Sequence, residues 1–137
     1  MTVDAWMRRS PVTVTAEARV AEALRLCREH GIRRLPVVKD GKLVGVVREP
    51  DLLRLTPSEA TTLDRYEMLT LLDRMTVARI VAPAVSISPE SALTEAARIL
   101  AESAHEVFVV ADGVLSGILT RADCLRGLLA QTPGRAA

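Results

Sequence analysis

The segment Gly117-Ile-Leu-Thr120-Arg-Ala-Asp123 holds a hydroxyl and a carboxylate three positions apart, where a predicted strand gives way to a predicted helix. An ionised carboxylate such as that of Asp123 only accepts hydrogen bonds. The N–H groups at a helix start attract an anion. The same spacing fits a capping box, with Asp123 in place of the usual glutamate. The residues alone leave both interpretations open, a ligand site and a helix cap.

A related segment, Gly45-Val-Val-Arg48-Glu-Pro-Asp51, keeps the carboxylate but has Arg48 in place of the hydroxyl residue. Pro50 also removes one backbone N–H from this helix start. The side chain of Arg48 either makes a charge-assisted contact with an anion or fills the cleft in which an anion would bind. Asp51 also fits the simpler interpretation of a carboxylate that stabilises the helix dipole.

Other chemistry finds little support among the residues. Cys27 and Cys124 fall in apolar helix patterns, which is typical of small buried residues. There is no CxxC, no HExxH and no cluster of histidines with carboxylates, so we expect no metal site. No nucleophile–base pair stands out, and we therefore expect a protein that is not an enzyme.

Charge and composition argue against nucleic acids and membranes as partners. The 137 residues carry 18 basic and 17 acidic side chains, a net charge of +1, and only three aromatic residues. A nucleic-acid interface needs a basic surplus or a stacking platform, so we expect none. No stretch approaches the roughly 20 apolar residues of a membrane span, and the first residues lack a signal-peptide core. The expected location is the cytoplasm.

An internal repeat organises the chain. Asp40-Gly41, Gly45 and Asp51 recur 72 positions later as Asp112-Gly113, Gly117 and Asp123. The offset is 73 or 74 nearer the start of each copy, as for Met1 and Met75. One such unit does not bury its apolar face alone, so we expect two to pack together around a cleft. We divide the chain into a first repeat (1–55), a helical bridge (56–74), a second repeat (75–129) and a flexible tail (130–137).

Each repeat is predicted as β-α-β-β-α. The first has a helical lead-in over Thr2–Met7, then Pro11–Thr15, Glu17–His30, Leu35–Lys39, Leu43–Val47 and a helix to Leu55. The second has Val85–Ser88, Ala92–Ala101, Val107–Ala111, Leu115–Leu119 and Ala122–Leu129. The Asp-Gly pairs predict type I′ hairpins, and Gly31 predicts a left-handed helix end. The bridge predicts a helix start at Pro57–Ala60 and a helix from Tyr66 to Met75.

This order of motifs resembles a tandem pair of cystathionine-β-synthase (CBS) domains, a Bateman module. In the first copy the matching residues are the lead-in and strand (Val3–Met7, Pro11–Thr15), Gly31–Val38, Asp40–Gly45 and Asp51–Leu53. In the second copy they are Val107–Val110, Asp112-Gly113, Gly117–Thr120 and Asp123. The resemblance implies an α/β (α+β) fold in which two small sheets pack face to face with helices outside. The bridge is also similar to the linker of small stand-alone bacterial CBS proteins, including those linked to acetoin utilisation, which does not fix a pathway.

The resemblance also implies a ligand and its binding residues. Family members bind AMP, ADP, ATP, S-adenosylmethionine, NAD(H) or cyclic dinucleotides, with the motif aspartate on the ribose and the hydroxyl residue on a phosphate. The implied main site takes its ribose side from the second repeat and its adenine side from the first. Its residues are Thr13, Ile32, Arg33, Arg34, Leu35, Pro36, Thr120, Arg121 and Asp123, with the three arginines as candidate phosphate ligands.

A second, altered site is implied on the other side, and it is either empty or differently selective. Its residues are Arg48, Asp51, Ser86, His105, Val107 and Phe108. The residues that align with the first repeat's Gly31–Pro36 begin there at Ser103. His105 also fits a plain surface histidine, and Phe108 a core residue.

The sequence therefore predicts a non-catalytic sensor of an adenosyl ligand. Binding would change the packing between repeats, and an unidentified protein partner would detect that change. The resemblance implies a homodimer. The alternative is a ligand-free structural homodimer that serves as an interaction scaffold.

Overall fold

The computed structural model describes residues 1–55, 64–102 and 104–131, and short strands alternate with helices along them. In chain order the elements are β1 (Arg8–Arg9), α1 (Val20–His30), β2 (Arg34–Lys39), β3 (Lys42–Arg48), α2 (Glu49–Arg54), α3 (Arg65–Arg74), β4 (Ser86–Ile87), α4 (Leu93–Glu102), β5 (Glu106–Ala111), β6 (Val114–Thr120) and α5 (Arg121–Gln131). The predicted α/β class is confirmed. The helix start predicted at Pro57–Ala60, Ser103, and the tail from residue 132 onward lie outside the described residues.

Helix α1 forms because its apolar residues recur at helical spacing. Val20, Ala23 and Cys27 lie on one face, and all three are buried. The helix ends at Gly31, whose φ of 62° is left-handed and whose N–H donates to the Cys27 carbonyl, as predicted. It begins at Val20 instead of the predicted Glu17, because Arg19 is extended and forms a bridge with Thr76.

Both predicted hairpin turns are present. Asp40 and Gly41 have φ values of 53° and 78°, and Asp112 and Gly113 have 53° and 81°. A type I′ turn needs positive φ at both central residues, which is the reason for the Asp-Gly pairs. The second turn joins β5 to β6 in antiparallel register, and β6 then runs directly into α5.

The chain forms two units, each with its own apolar core. The first-repeat unit contains Val12–Asp40 and Val44–Pro83, and the second-repeat unit contains Met1–Pro11, Gly41–Leu43 and Ala84–Ala137. The core of each unit includes the lead-in that precedes the other repeat in the chain, residues 1–9 in the second-repeat unit and residues 75–83 in the first-repeat unit. The lead-ins are thus exchanged between the repeats.

The two exchanged lead-ins make equivalent backbone hydrogen bonds. In the second-repeat unit, the Val3 N–H donates to the Ser91 carbonyl at 2.9 Å. In the first-repeat unit, the Val77 N–H donates to the Ala18 carbonyl, also at 2.9 Å. These pairs stand 74 and 73 positions apart in the repeat, so the duplication extends to the way in which each lead-in docks. Val3 and Val77 are both fully buried.

Each docked lead-in passes close to a glycine. A Cβ on Gly117 would lie 2.9 Å from the Arg8 carbonyl oxygen, and a Cβ on Gly45 would lie 2.6 Å from the Ala82 carbonyl oxygen. Real Cβ atoms do not approach an oxygen so closely, so neither position has room for a side chain. Gly45 and Gly117 are therefore positions where the backbone of each lead-in packs closely.

The predictions for the start of the first repeat are partly wrong. The predicted helical lead-in is a short 3-10 turn over Val3–Ala5, followed by β1. The predicted strand Pro11–Thr15 reduces to a one-residue parallel bridge between Val14 and Val37. Among the described residues, this segment makes two backbone hydrogen bonds with β2, both through Val14, which is too few for a strand.

Candidate functional site

Thr120 and Asp123 bind each other at the junction of β6 and α5. Oδ2 of Asp123 accepts from the Thr120 backbone N–H at 3.1 Å and from the Thr120 hydroxyl at 2.9 Å. The Thr120 hydroxyl oxygen in turn accepts from the Asp123 N–H at 3.3 Å. These reciprocal bonds confirm the capping-box interpretation. They also orient the carboxylate, whose side chain is only 4% exposed.

Two arginines bind the other carboxylate oxygen of Asp123. Nε of Arg8, on β1, lies 3.3 Å from Oδ1, and Nη2 of Arg126, one turn later on α5, also donates to Oδ1. Neither arginine was among the site residues predicted from the sequence. The position of Arg126, three residues after Asp123 on a helix, could have identified it. Arg8 lies 115 positions away, and only the docking of the lead-in onto β6 brings it near.

These partners keep Asp123 ionised. Burial alone would raise the pKa of Asp123, but the hydrogen bonds from Thr120 and Arg8 and the positive charge of Arg8 outweigh burial. The pKa of Asp123 is therefore lowered from its ordinary value of 3.8. At neutral pH the site presents a buried carboxylate that can only accept hydrogen bonds.

Arg121, a predicted phosphate ligand, binds the end of α4. Its Nε donates to the Leu100 carbonyl at 3.0 Å and its Nη2 to the Ala104 carbonyl at 3.2 Å. A cation at a helix C-terminus satisfies free carbonyls and stabilises the helix dipole. The guanidinium thus has a structural role in this state, and its contact with a phosphate stays a prediction.

The equivalent position in the first repeat is built differently. Oδ1 of Asp51 accepts from Nη1 of Arg54 at 2.7 Å, and the Asp51 side chain is 28% exposed. Arg48 is the N-cap residue of α2 and has an extended backbone conformation. Its side chain makes no capping hydrogen bond. The first repeat therefore has the carboxylate and the following arginine, but not the hydroxyl that holds Asp123.

The remaining predicted residues differ in exposure. In the first-repeat unit, Leu35 and Pro36 are buried, Ile32 and Arg34 are half-buried, and Thr13 and Arg33 are exposed. In the second-repeat unit, Val107 and Phe108 are fully buried, while Ser86 and His105 are exposed. Leu35 lies in the core of the first-repeat unit and Val107 in the core of the second-repeat unit, so both side chains contribute to packing. Their predicted contacts with a ligand stay predictions.

Neither a metal-binding cluster nor a helix that could span a membrane occurs among the described residues. Residues 1–55, 64–102 and 104–131 contain no group of three or more histidine, cysteine, aspartate or glutamate side chains that could hold a metal ion. Within the same ranges, none of the helices combines the length and the apolar character that a membrane span requires.

Solved structures of similar sequence share this fold. CBSX2 in complex with AMP is 33% identical, with a TM-score of 0.75 over 94% of this chain and 96% of that chain, and CBSX2 from Arabidopsis thaliana is described as a CBS-pair protein. A candidate acetoin utilization protein from Vibrio cholerae is 26% identical, with a TM-score of 0.77 over 95% of this chain and 91% of that chain.

A curated relative matches part of the chain, and a sequence profile identifies the family. Hypoxic response protein 1 of Mycobacterium tuberculosis is 42% identical over 53 residues, which are 39% of this chain and 37% of that protein. The chain spans between 30% and 37% of the length of the curated relatives that it matches first. The sequence profile of the CBS domain matches twice, at residues 3–58 and 77–130. The chain therefore belongs to the CBS-domain family and carries a tandem pair of these domains.

Proposed function

We propose that the protein is a non-catalytic regulatory module that binds an adenosine-containing ligand at Thr120 and Asp123. The observation that carries this proposal is a buried, ionised carboxylate held in one orientation at the start of α5. An acceptor-only group so placed suits the two hydroxyls of a ribose. The Thr120 hydroxyl and the first N–H groups of α5 suit a phosphate on the same ligand.

The AMP complex of CBSX2 supports the ligand class. That protein is 33% identical to this chain over nearly the whole of both chains. At this similarity the ligand of the relative is a reasonable first probe for the site. Which adenosyl compound binds, and whether the adenine contacts the predicted stretch from Ile32 to Pro36, belong to the proposal.

The proposed output is a change of conformation that a protein partner detects, in the cytoplasm. A ligand shifts a conformational equilibrium only through its different affinities for the two states. The proposal therefore requires that binding alters the exposure or mobility of some surface outside the site. Hydrogen exchange with and without ligand would locate that surface.

Isothermal titration tests the binding step. AMP, ATP, S-adenosylmethionine, NAD⁺ and a cyclic dinucleotide would each be titrated into the wild-type protein. We expect at least one to bind, and Asp123→Ala to weaken it by at least about tenfold, as expected for lost charge-assisted hydrogen bonds. Asp51→Ala is the matched control from the first repeat, and its effect on the stoichiometry reports whether a second site fills. No binding by any of these compounds would overturn the proposal.

A second candidate is the ligand-free structural homodimer that serves as an interaction scaffold. Helix α5 exposes Leu125 and Leu129, which are 59% and 71% exposed and lie one turn apart. Beside them is an apolar groove of about 180 Å³ between α4 and α5, lined in part by Ala97, Ala101 and Leu128. We propose that a second copy of the chain covers this face. Light scattering should report a dimer for the wild type and a monomer for Leu125→Glu; an unchanged mass for the variant would exclude this face.

A further inference from the structure

We propose that Arg8 makes the Thr120–Asp123 site selective for adenosyl ligands that carry an anionic group on the 5′ carbon, over neutral or cationic ones. This inference rests on the proposed function, because it concerns the same site. It assigns a specificity-determining role to a lead-in residue that lies outside the Gly117–Asp123 motif.

The acceptor capacity of Asp123 limits how a ribose hydroxyl can bind to it. Its carboxylate has about four lone-pair positions. Oδ2 receives two donors from Thr120, and Oδ1 receives one each from Arg8 and Arg126. A ribose hydroxyl that binds Asp123 must therefore share an oxygen with one of these donors or replace it.

Of the donors that bind Asp123, a ribose hydroxyl can replace an arginine more easily than Thr120. The Thr120 bonds belong to the capping box that starts α5, so their loss would disturb the helix. The side chains of Arg8 and Arg126 are 66% and 56% exposed and can rotate into solvent at little cost. Arg8 also makes the longer contact, at 3.3 Å. Ribose binding would thus displace an arginine, and Arg8 is the weaker-held of the two.

The charge of the group on the 5′ carbon determines whether a displaced Arg8 guanidinium has a new partner. A displaced Arg8 stays tethered by β1, within a side chain's length of the ribose. A 5′-phosphate gives its guanidinium a new anionic partner with suitable geometry. A neutral 5′-thioether provides no such partner, and the sulfonium of S-adenosylmethionine repels the guanidinium. The exchange therefore favours a nucleotide over the uncharged and the cationic compounds.

The duplication supplies an internal comparison. Arg126 and Arg54 occupy equivalent positions and bind equivalent aspartates, so the arginine that follows the motif is common to both repeats. Arg8 stands opposite Ile118 on β6, and the equivalent position of the other lead-in, opposite Val46, is Ala82. At this position of the two described lead-ins, the second-repeat unit thus has a cation beside Asp123 and the first-repeat unit has an alanine.

The test compares two ligands that share the adenosine and differ at the 5′ carbon. AMP and 5′-methylthioadenosine would be titrated into the wild type, Arg8→Gln and Arg9→Gln. Arg9 is the neighbouring exposed arginine, its guanidinium contacts only the Asp4 carbonyl, at 3.4 Å, among the bonds described here, and its replacement changes the net charge equally. We expect the wild type to prefer AMP, Arg8→Gln to reduce that preference about fivefold, and Arg9→Gln to leave it nearly unchanged.

The outcomes separate the two proposals. Binding of either compound with a preference that Arg8→Gln does not change, or that Arg9→Gln reduces equally, overturns the role of Arg8 but not the proposed function. No binding of either compound, or of the wider set named above, overturns both. If Arg8→Gln does not fold, the wild type still provides a test, because the preference for AMP should fall as ionic strength rises. A preference that is independent of salt would overturn the inference.

Discussion

Nε of Arg8 lies 3.3 Å from Oδ1 of Asp123, although the two residues are 115 positions apart in the chain. The contact exists because the first lead-in docks on β6, the strand that ends one residue before α5. It joins the capping box and Arg126 around one buried carboxylate. The charge of Asp123 therefore contributes to the fold of the second-repeat unit as well as to the proposed site.

The first prediction concerns pH. The partners of Asp123 lower its folded-state pKa below its value in the unfolded chain, so folding favours the ionised form. This stabilising contribution is complete above the unfolded-state pKa and is lost as pH falls through the folded-state pKa. We expect the free energy of unfolding of the wild type to fall more steeply than that of Asp123→Asn below about pH 4. Urea titrations across that range would measure both slopes; parallel curves would contradict the prediction.

The second prediction concerns Arg121, which caps the end of α4 in the structure. Arg121→Ala should reduce the free energy of unfolding by about 1–2 kcal/mol, because two carbonyls lose a charged donor and the helix dipole loses a cation. Arg121→Lys should recover part of this loss, since it restores the charge but not the forked geometry. Arg98→Ala, at an exposed position of α4, is the control and should be nearly neutral. An equal effect at both positions would show that the two carbonyl contacts contribute nothing.

Local signals account for the parts of the fold that the sequence predicted well. Gly31 ends α1, and Asp40-Gly41 and Asp112-Gly113 form their turns, because each depends on backbone conformations that a few neighbouring residues determine. The capping box of Thr120 and Asp123 is local in the same sense. The duplication then made the hairpin prediction twice, at the same place in each repeat.

Contacts distant in sequence account for most of what was missed. Nothing near Arg8 indicates that it will contact Asp123, and nothing near Val3 indicates that it will be buried in the core of the second-repeat unit. The same exchange leaves Arg19 extended against Thr76, which shortens α1 at its start. Contacts between residues distant in the chain override local secondary-structure propensity, and the periodicity of apolar residues does not indicate these contacts.

The third prediction concerns the two thiols. Burial raises the pKa of Cys27, and the charge of Glu49 raises it further; burial and then the charge of Asp123 raise the pKa of Cys124. A buried thiol with a raised pKa forms little thiolate and is poorly accessible to reagents. We expect both to react with a disulfide reagent at least about a hundredfold more slowly in the folded protein than in denaturant. Ser88→Cys, at an exposed position, is the control; fast reaction of the native thiols would contradict the burial described here.

The last prediction tests the exchange of lead-ins through the glycines beneath them. Gly117→Ala places a Cβ against the Arg8 carbonyl and the Met7 side chain, and Gly45→Ala places one against the Ala82 carbonyl and the Val81 side chain. The contacts with backbone oxygens cannot be relieved by rotating a side chain, so each lead-in must shift. We expect each substitution to lower the free energy of unfolding by about 2–3 kcal/mol, the upper range for overpacking.

Gly31→Ala separates this steric effect from the general cost of replacing a glycine. Gly31 has a positive φ of 62°, but a Cβ added there would meet no other atom within 4 Å, so an alanine should cost only about 1 kcal/mol. Chemical denaturation of the three variants would rank them, with Gly45→Ala and Gly117→Ala below Gly31→Ala. For Gly117→Ala we also expect faster amide exchange at Val3, because the displaced lead-in weakens the hydrogen bond from Val3 to Ser91. Unchanged exchange at Val3 together with a stability equal to that of Gly31→Ala would mean that Gly117 does not hold the lead-in in place.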